Sequence, residues 1–200
     1  MMLFGVTRMA GRAYTIFDTG VGRCGIAWGP SGIVGVQLPE AREIETRRRL
    51  FQLYPEARET RPASNVETAI EGIVALLRGA TADFAEVALD MGGIHVFDQR
   101  VYQITQRIPR GETLTYNEIA ARLGASGAVR SVAQAVARNP FVVIVPCHRV
   151  LETGGYTDKM SLHGGLISKR RLLSIEGTGS SARQTLLDVL LPVAPPRLSG

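Results

Sequence analysis

A short apolar run that ends in a proline and three polar or reactive side chains, Ile144-Val145-Pro146-Cys147-His148-Arg149-Val150, constrains this chain more than any other stretch. Consecutive side chains of an extended strand point to opposite faces, so Cys147 and His148 can cooperate only across a turn after Pro146 or through a bridging water. A turn suits the sequence, because proline fixes its own φ and offers no N–H to a ladder. A thiol is a weak nucleophile until it ionises, and a neighbouring histidine or cation lowers its pKa. His148 is therefore the candidate base. Glu176, at a helix end before Gly177, is the candidate third member that orients the imidazole, in the nucleophile, base and orienter arrangement of catalytic triads. The ordinary role of a cysteine is that of a small buried hydrophobe, and Cys24, inside an expected strand, is read that way.

Two hundred residues, 45% hydrophobic and 20% charged, describe one or two globular domains with an adequate core. No apolar run reaches the length of a membrane span, and residues 1–13 lack the continuous apolar core of a secretory signal. A disulfide between Cys24 and Cys147 would consume the nucleophile, so a reduced setting is expected. The three histidines, His95, His148 and His163, stand in no metal-ligand spacing with the two cysteines, and no metal is expected. Net charge is +5, unevenly placed: residues 96–177 hold 11 basic and 6 acidic side chains, whereas residues 1–95 hold 10 and 11. The basic excess accompanies the cysteine motif, which suits a polyanionic partner.

Three strands are expected over 14–18, 23–28 and 32–38, joined in antiparallel hairpins by turns at Thr19-Gly20 and Gly29-Pro30-Ser31-Gly32. A helix should follow over 40–54, with Glu43 and Glu45 each four residues ahead of Arg47 and Arg49, so the arginine run is a solvated helix face. Ser64 with Glu67 forms a capping-box pattern ahead of the stripe Val66, Ile70, Val74 and Leu77. Residues 84–89 suggest one more strand. This gives an α/β domain over 1–93 with no convincing polar constellation.

A second domain, 94–177, opens with a helix over 96–106. Thr115-Tyr116-Asn117-Glu118 is a further capping box, starting a helix whose core face is Ile119, Ala120 and Leu123. After the turn at Gly124–Gly127 a second helix over 128–138 buries Val129, Val132, Ala133 and Val136. Two short helices joined by a glycine-containing turn form a helix-turn-helix. Arg130, Gln134 and Arg138 share one exposed stripe of the second helix, a surface suited to DNA. A glycine-rich, wing-like loop is expected over 151–165, a helix over 166–175, and a mobile tail over 178–200.

Pro146-Cys147-His148-Arg149-Val150, preceded by Asn139-Pro140 and followed by a glycine-rich stretch and Lys169-Arg170-Arg171-Leu172-Leu173-Ser174-Ile175-Glu176-Gly177, resembles the active-site region of the O6-alkylguanine-DNA alkyltransferases, also called methylated-DNA–protein-cysteine methyltransferases. The resemblance covers roughly residues 14–177 and is specific from Phe97 onward. It implies an RNase H-like α/β N-terminal domain buttressing a winged helix-turn-helix domain. The expected partner is double-stranded DNA, entered through the minor groove by a monomer in the cytoplasm or nucleus, with no membrane association and no cofactor. The resemblance further implies that Arg130, with Ser131, Gln134 and Arg138 on the same helix, contacts DNA and that Arg130 replaces the flipped base in the stack. Tyr116 would press on the rotating phosphate. Cys147 accepts the alkyl group, His148 acts as base through a water, Glu176 holds His148, and Asn139 braces the active-site turn. The backbone at Cys147 and Val150 reads the guanine edge. Transfer to sulfur is irreversible, so each molecule acts once.

One region departs from the family. Relatives carry Gly-Gly-aromatic-Ser in the wing, the ring packing on the base and the serine donating to the guanine oxygen; here Asp158-Lys159-Met160-Ser161 align. Ser161 keeps the donor, and Met160 replaces the ring with a flexible thioether. Either Met160 packs on the base, or a loop shift brings Tyr156 or His163 there. Three rival readings follow from parts of the sequence. A winged-helix regulator leaves the Cys-His motif unexplained, and a Cys-His hydrolase leaves the DNA-facing helix unexplained. A protein that binds alkylated DNA without transfer normally lacks the cysteine.

Overall fold

The computed structural model describes residues 11–153 and 169–177. Strands β1 (Ala13–Thr19), β2 (Gly22–Gly29) and β3 (Gly32–Gln37) pair antiparallel in the two expected hairpins. Helix α1 (Glu43–Leu53) crosses one face of this sheet. Next comes β4 (Arg58–Glu59), parallel to β1, which completes the order β3-β2-β1-β4; two residues are too few to show an alternation in sequence. Helix α2 (Ser64–Leu77) covers the other face. The strands divide their side chains between the two helices: Cys24, Ile26, Ile33 and Val36 pack with Val66, Ala69, Ile73 and Leu76 of α2, whereas Ala27 and Val34 pack with Leu50 of α1, a register shift opposite Ala27 and Trp28 breaking the alternation in β3. Burying each such large aliphatic side chain contributes about 1.5–3 kcal/mol. Gly35 allows α1 to approach closely, since a Cβ there would meet the Tyr54 hydroxyl, which donates to the carbonyl of Val34 at 2.9 Å.

The outer edge of β3 is not left open. Ile33 bonds to Ala88 O and Asp90 N at 2.9 and 2.8 Å, and the N–H of Val36 donates to Pro140 O at 2.8 Å. The sheet is thereby fastened to the chain where the Cys147 segment begins.

Several sequence expectations need correction. Helix α1 starts at Glu43 rather than at residue 40, and Glu45 pairs back to Arg42 at 2.7 Å instead of forward to Arg49. Glu43 does meet Arg47, but Arg47 is also held by Glu59, so it is less free than a solvated face implies. Ser64 is not a cap: the N–H groups of Val66 and Glu67 bond to Ala63 O, the helix starts one residue early, and Ser64 is already inside it. The buried face of α2 is Val66, Ala69, Ile73, Leu76 and Leu77, rotated from the expected stripe, with Ile70 and Val74 half-buried. Residues 84–89 make one bridge, Leu89 to Ile33, and no strand; Phe84 is instead drawn under α2 at Gly72.

Helix α3 (Val96–Gln106) has the expected bounds. A two-residue strand β5 (Leu114–Thr115) leads into α4 (Tyr116–Arg122), which opens on the expected capping box: Thr115 Oγ1 accepts from the N–H of Glu118 at 3.2 Å, and the Glu118 carboxylate accepts from the N–H of Thr115 at 2.6 Å. A 3₁₀ turn, Ser126–Ala128, precedes α5 (Val129–Ala137), which buries Val132, Ala135 and Val136 while Val129 and Ala133 are half-buried. Strand β6 (Val150–Leu151) pairs in parallel with β5, and α6 (Lys169–Glu176) ends at Gly177, whose φ of 77° suits a helix-terminating glycine. One buried cluster runs from Cys24 through Leu172, across the boundary expected at 93/94. Residues 154–168, which hold most of the expected wing and the start of the last expected helix, and the tail over 178–200 lie outside the described residues. Among the described residues no helix is long and apolar enough to cross a membrane.

Candidate active site

The segment between α5 and β6 folds as a tight turn followed by one turn of 3₁₀ helix, Cys147–Arg149. Asn139, buried just past the end of α5, organises the turn: its Oδ1 accepts from the N–H of Phe141 and its Nδ2 donates to Val145 O, each at 2.9 Å. The N–H of Val145 returns to Phe141 O at 2.8 Å. This closure forces Val143 to φ 77°, a left-handed conformation that costs a β-branched residue on the order of 1–3 kcal/mol. The 3₁₀ turn answers the geometric problem posed by the sequence, since Cys147 and His148 no longer alternate as in a strand.

Cys147 is 1% exposed. Burial pushes its thiol pKa up, opposed by the Asn139 side chain, the positive charge of Lys169 and backbone hydrogen bonds at Cys147 and His148. His148 is fully buried; burial pushes its pKa down, against a hydrogen bond to Glu176, so the ring is neutral at ordinary pH. Burial also raises the Glu176 carboxyl, but hydrogen bonds from His148 and Arg149 outweigh it and leave the group at about 2. An ionised carboxylate only accepts, so the 2.9 Å contact fixes the tautomer: Nε2 of His148 donates to Glu176 Oε1. Nδ1 then carries the lone pair, and it has no hydrogen-bond partner among the described residues. A buried base thus stands beside a buried thiol with its accepting nitrogen uncommitted.

Arg149 and Lys169, to which the sequence reading gave no role, complete the electrostatics. Arg149 grips Glu176 through Nε and Nη2 at 2.9 and 2.7 Å and donates through Nη1 to Ile108 O at 2.6 Å. Lys169 donates to Val150 O at 2.9 Å and to the Tyr116 hydroxyl at 3.1 Å. One signal could have revealed Lys169. Lys169, Leu172, Leu173 and Glu176 stand at i, i+3, i+4 and i+7, a single inward face whose two ends are polar. Arg110 fixes the far end of α6, donating to Glu176 O at 3.2 Å and Gly79 O at 2.6 Å.

Cys147, His148, Glu176, Asn139, Tyr116 and Val150 therefore come together, with Tyr116 only 5% exposed and tied inward by Lys169. Arg130, Ser131 and Gln134 are exposed on α5. Arg138 shares their stripe but not their freedom, because its guanidinium grips Asp98 at 2.9–3.1 Å. Met160, Ser161, Tyr156 and His163 lie outside the described residues. No group of three or more His, Cys, Asp and Glu is placed to hold a metal among the described residues.

Comparison with known proteins points to one family. The family model for the DNA-binding domain of 6-O-methylguanine DNA methyltransferase covers residues 96–178. A methylated-DNA–protein-cysteine methyltransferase of Methanothermobacter thermautotrophicus is 36% identical over 153 residues, spanning 76% of this chain and 78% of the relative. The chain belongs to the methylated-DNA–protein-cysteine methyltransferase family. Among solved structures of this family, the O6-methylguanine methyltransferase of Mycobacterium tuberculosis superposes with a TM-score of 0.63 at 30% identity, covering 86% of this chain and 96% of the other. The same bacterium's protein in complex with DNA gives a TM-score of 0.61 at 30% identity, covering 82% and 92%. A mixed sheet with flanking helices is thus the methyltransferase fold that this chain shares.

Proposed function

We propose that this chain repairs DNA by moving an alkyl group from the O6 atom of guanine, or from the O4 atom of thymine, to Cys147 in a single irreversible event. The observation that carries the reading is the buried Cys147 turn beside a neutral His148 whose Nε2 is held by an ionised Glu176. The thiol proton passes through a water to Nδ1 of His148. Sγ attacks the alkyl carbon in line, the S–C bond forms as the C–O6 bond breaks, and the electron pair leaves on guanine, which recovers a proton from the imidazolium. Arg149 keeps Glu176 ionised throughout. The thioether product does not hydrolyse, so the protein acts once and needs no cofactor.

The substrate base must leave the duplex to reach a thiol this deep. Residues 94–177 are read as a winged helix-turn-helix that enters the minor groove of double-stranded DNA as a monomer, and residues 1–93 as an RNase H-like buttress. Arg130 fills the vacated stack, Ser131 and Gln134 contact the backbone, Tyr116 meets the phosphate of the flipped nucleotide, and Val150, Met160 and Ser161 line the base. The setting is the cytoplasm or nucleus.

Intact-mass spectrometry after incubation with an O6-methylguanine oligonucleotide tests the reading: one added methyl on the peptide containing Cys147 supports it, and an unchanged mass rejects it. Arg130→Ala should slow transfer from duplex DNA by about tenfold or more while leaving transfer from the free base nearly intact, because flipping alone costs a few kcal/mol. Equal losses on both substrates would remove the intercalating role.

A further inference from the structure

Asn139 positions the thiol, so whatever holds the end of α5 also decides where the thiol stands. Two residues of α3 do this. Asp98 receives the Arg138 guanidinium in a fork, with Nε to Oδ2 at 3.1 Å and Nη2 to Oδ1 and Oδ2 at 3.1 and 2.9 Å. One helical turn further along, the Tyr102 hydroxyl donates to Ala135 O at 3.0 Å. The Tyr102 ring then meets Phe141 edge-on, at 6.2 Å between centroids and 88° between planes. Asp98 and Tyr102 therefore brace both sides of the corner formed by Arg138, Asn139, Pro140 and Phe141. From the opposite side the N–H of Val36 in β3 holds Pro140 O.

The burial of the pair is lopsided: the Asp98 side chain is 9% exposed and that of Arg138 56%. A half-solvated ion pair contributes little to global stability, yet a forked guanidinium–carboxylate contact fixes direction well. The fork uses Nε and Nη2 of Arg138 and leaves Nη1 to other partners.

We propose that Asp98 is a positioning residue for alkyl transfer: by clamping Arg138 it sets Asn139, whose side chain closes the Phe141–Val145 turn that carries Cys147. The inference rests on the proposed reaction for its meaning, but its test has an arm that does not.

The experiment compares wild type, Asp98→Asn, Asp98→Glu and Arg138→Gln in four measurements. These are the pH profile of Cys147 carboxymethylation by iodoacetate, transfer rates from free O6-benzylguanine and from an O6-methylguanine duplex, affinity for undamaged duplex, and thermal midpoint. Asp98→Asn and Arg138→Gln should each move the carboxymethylation midpoint up by about one pH unit, equivalent to roughly tenfold less thiolate at neutral pH. Transfer should slow by a similar factor on both substrates, DNA affinity should stay constant, and Asp98→Glu should recover part of the loss. A lowered thermal midpoint with an unmoved pH profile would make the pair merely structural and overturn the proposal. So would weaker DNA binding in Arg138→Gln but not in Asp98→Asn, which would assign Arg138 to a phosphate. Should Asp98→Asn fail to fold, Arg138→Lys, which keeps the charge and loses the fork, carries the same comparison. If wild type takes no alkyl group from either substrate while the carboxymethylation midpoint still shifts, the proposed reaction fails and the positioning role stands.

Discussion

The two cysteines of this chain are both free, both buried and both surrounded by apolar side chains, yet their surroundings differ in the one respect that governs reactivity. Cys24 sits in the middle of β2 under α2, where burial pushes its pKa up to about 12 and only the Thr19 hydroxyl, 3.7 Å away, opposes the rise. Cys147 is as deeply buried but is met by the Asn139 amide, the Lys169 charge and backbone hydrogen bonds, with a base in the next residue. Burial is therefore not what separates a structural thiol from a nucleophile. Directed polar groups are, and they come from places distant in sequence: the end of α5, the start of α6 and the 3₁₀ turn itself.

The largest test of this contrast is Cys147→Ala against Cys24→Ala. The first should abolish alkyl acceptance altogether while DNA affinity persists, because the thiol makes the new bond and contacts no phosphate. Methyl gain by the Cys147→Ala protein would place the chemistry elsewhere. Next in size is Glu176→Gln, which leaves His148 without its ionised acceptor and Arg149 without a counter-charge; transfer should fall about 10²-fold or more.

Glu176→Gln should also change the acid limb of stability. The folded Glu176 has a pKa of about 2 against a reference of 4.5. A depressed folded pKa contributes stability that is present above the unfolded value and lost as pH falls through the folded one, here between about 4.5 and 2, on the order of 3 kcal/mol in all. His148, whose pKa is also lowered from 6.5, acts with the same sign and begins the loss at higher pH. Urea unfolding from pH 7 to 3 should therefore show a decline in wild type that is shallower below pH 4.5 in Glu176→Gln. Identical slopes would mean that Glu176 is not ionised in the folded protein.

How far the site was legible in sequence follows from the same contrast. Cys147, His148, Asn139 and Glu176 were readable because a contiguous motif and a glycine-stopped helix announce them. The capping box at Thr115, the bounds of α3 and the two hairpins were readable because propensity and tertiary packing agree there. Ser64 misled because a capping pattern says nothing about a helix that starts one residue sooner. Periodicity placed Arg138 on an exposed face, where it stands, but could not show that Asp98, 40 residues earlier, is bonded to it. Strands β4, β5 and β6, with two residues each, are created by their partners alone.

A moderate effect is expected from Lys169→Met, which keeps the length of the side chain and removes its charge from beside the thiol. The Cys147 pKa should rise by about one unit and carboxymethylation at neutral pH should slow about tenfold. Cys24 should remain unmodified in the folded protein, as in wild type. If the Cys147 rate is unchanged, the Lys169 contacts to Val150 and Tyr116 are structural, and Asn139 with the backbone amides carries the whole activation.

The smallest effect is expected at Cys24, and it decides whether the comparison is a fair one. Cys24 has no exposed surface and packs with Ile26, Ile33 and the inner face of α2, so Cys24→Ala removes one sulfur from a dense core and leaves a small cavity. That should cost about 1 kcal/mol, seen as a few degrees in thermal midpoint, with alkyl transfer at the wild-type rate. Cys24→Ser should cost more than Cys24→Ala, because a hydroxyl placed there has only Thr19 close by to satisfy it. Slower transfer in Cys24→Ala at full folding would show that the sheet does more than support the turn through Val36 and Pro140, and that the two thiol environments are coupled through the shared core.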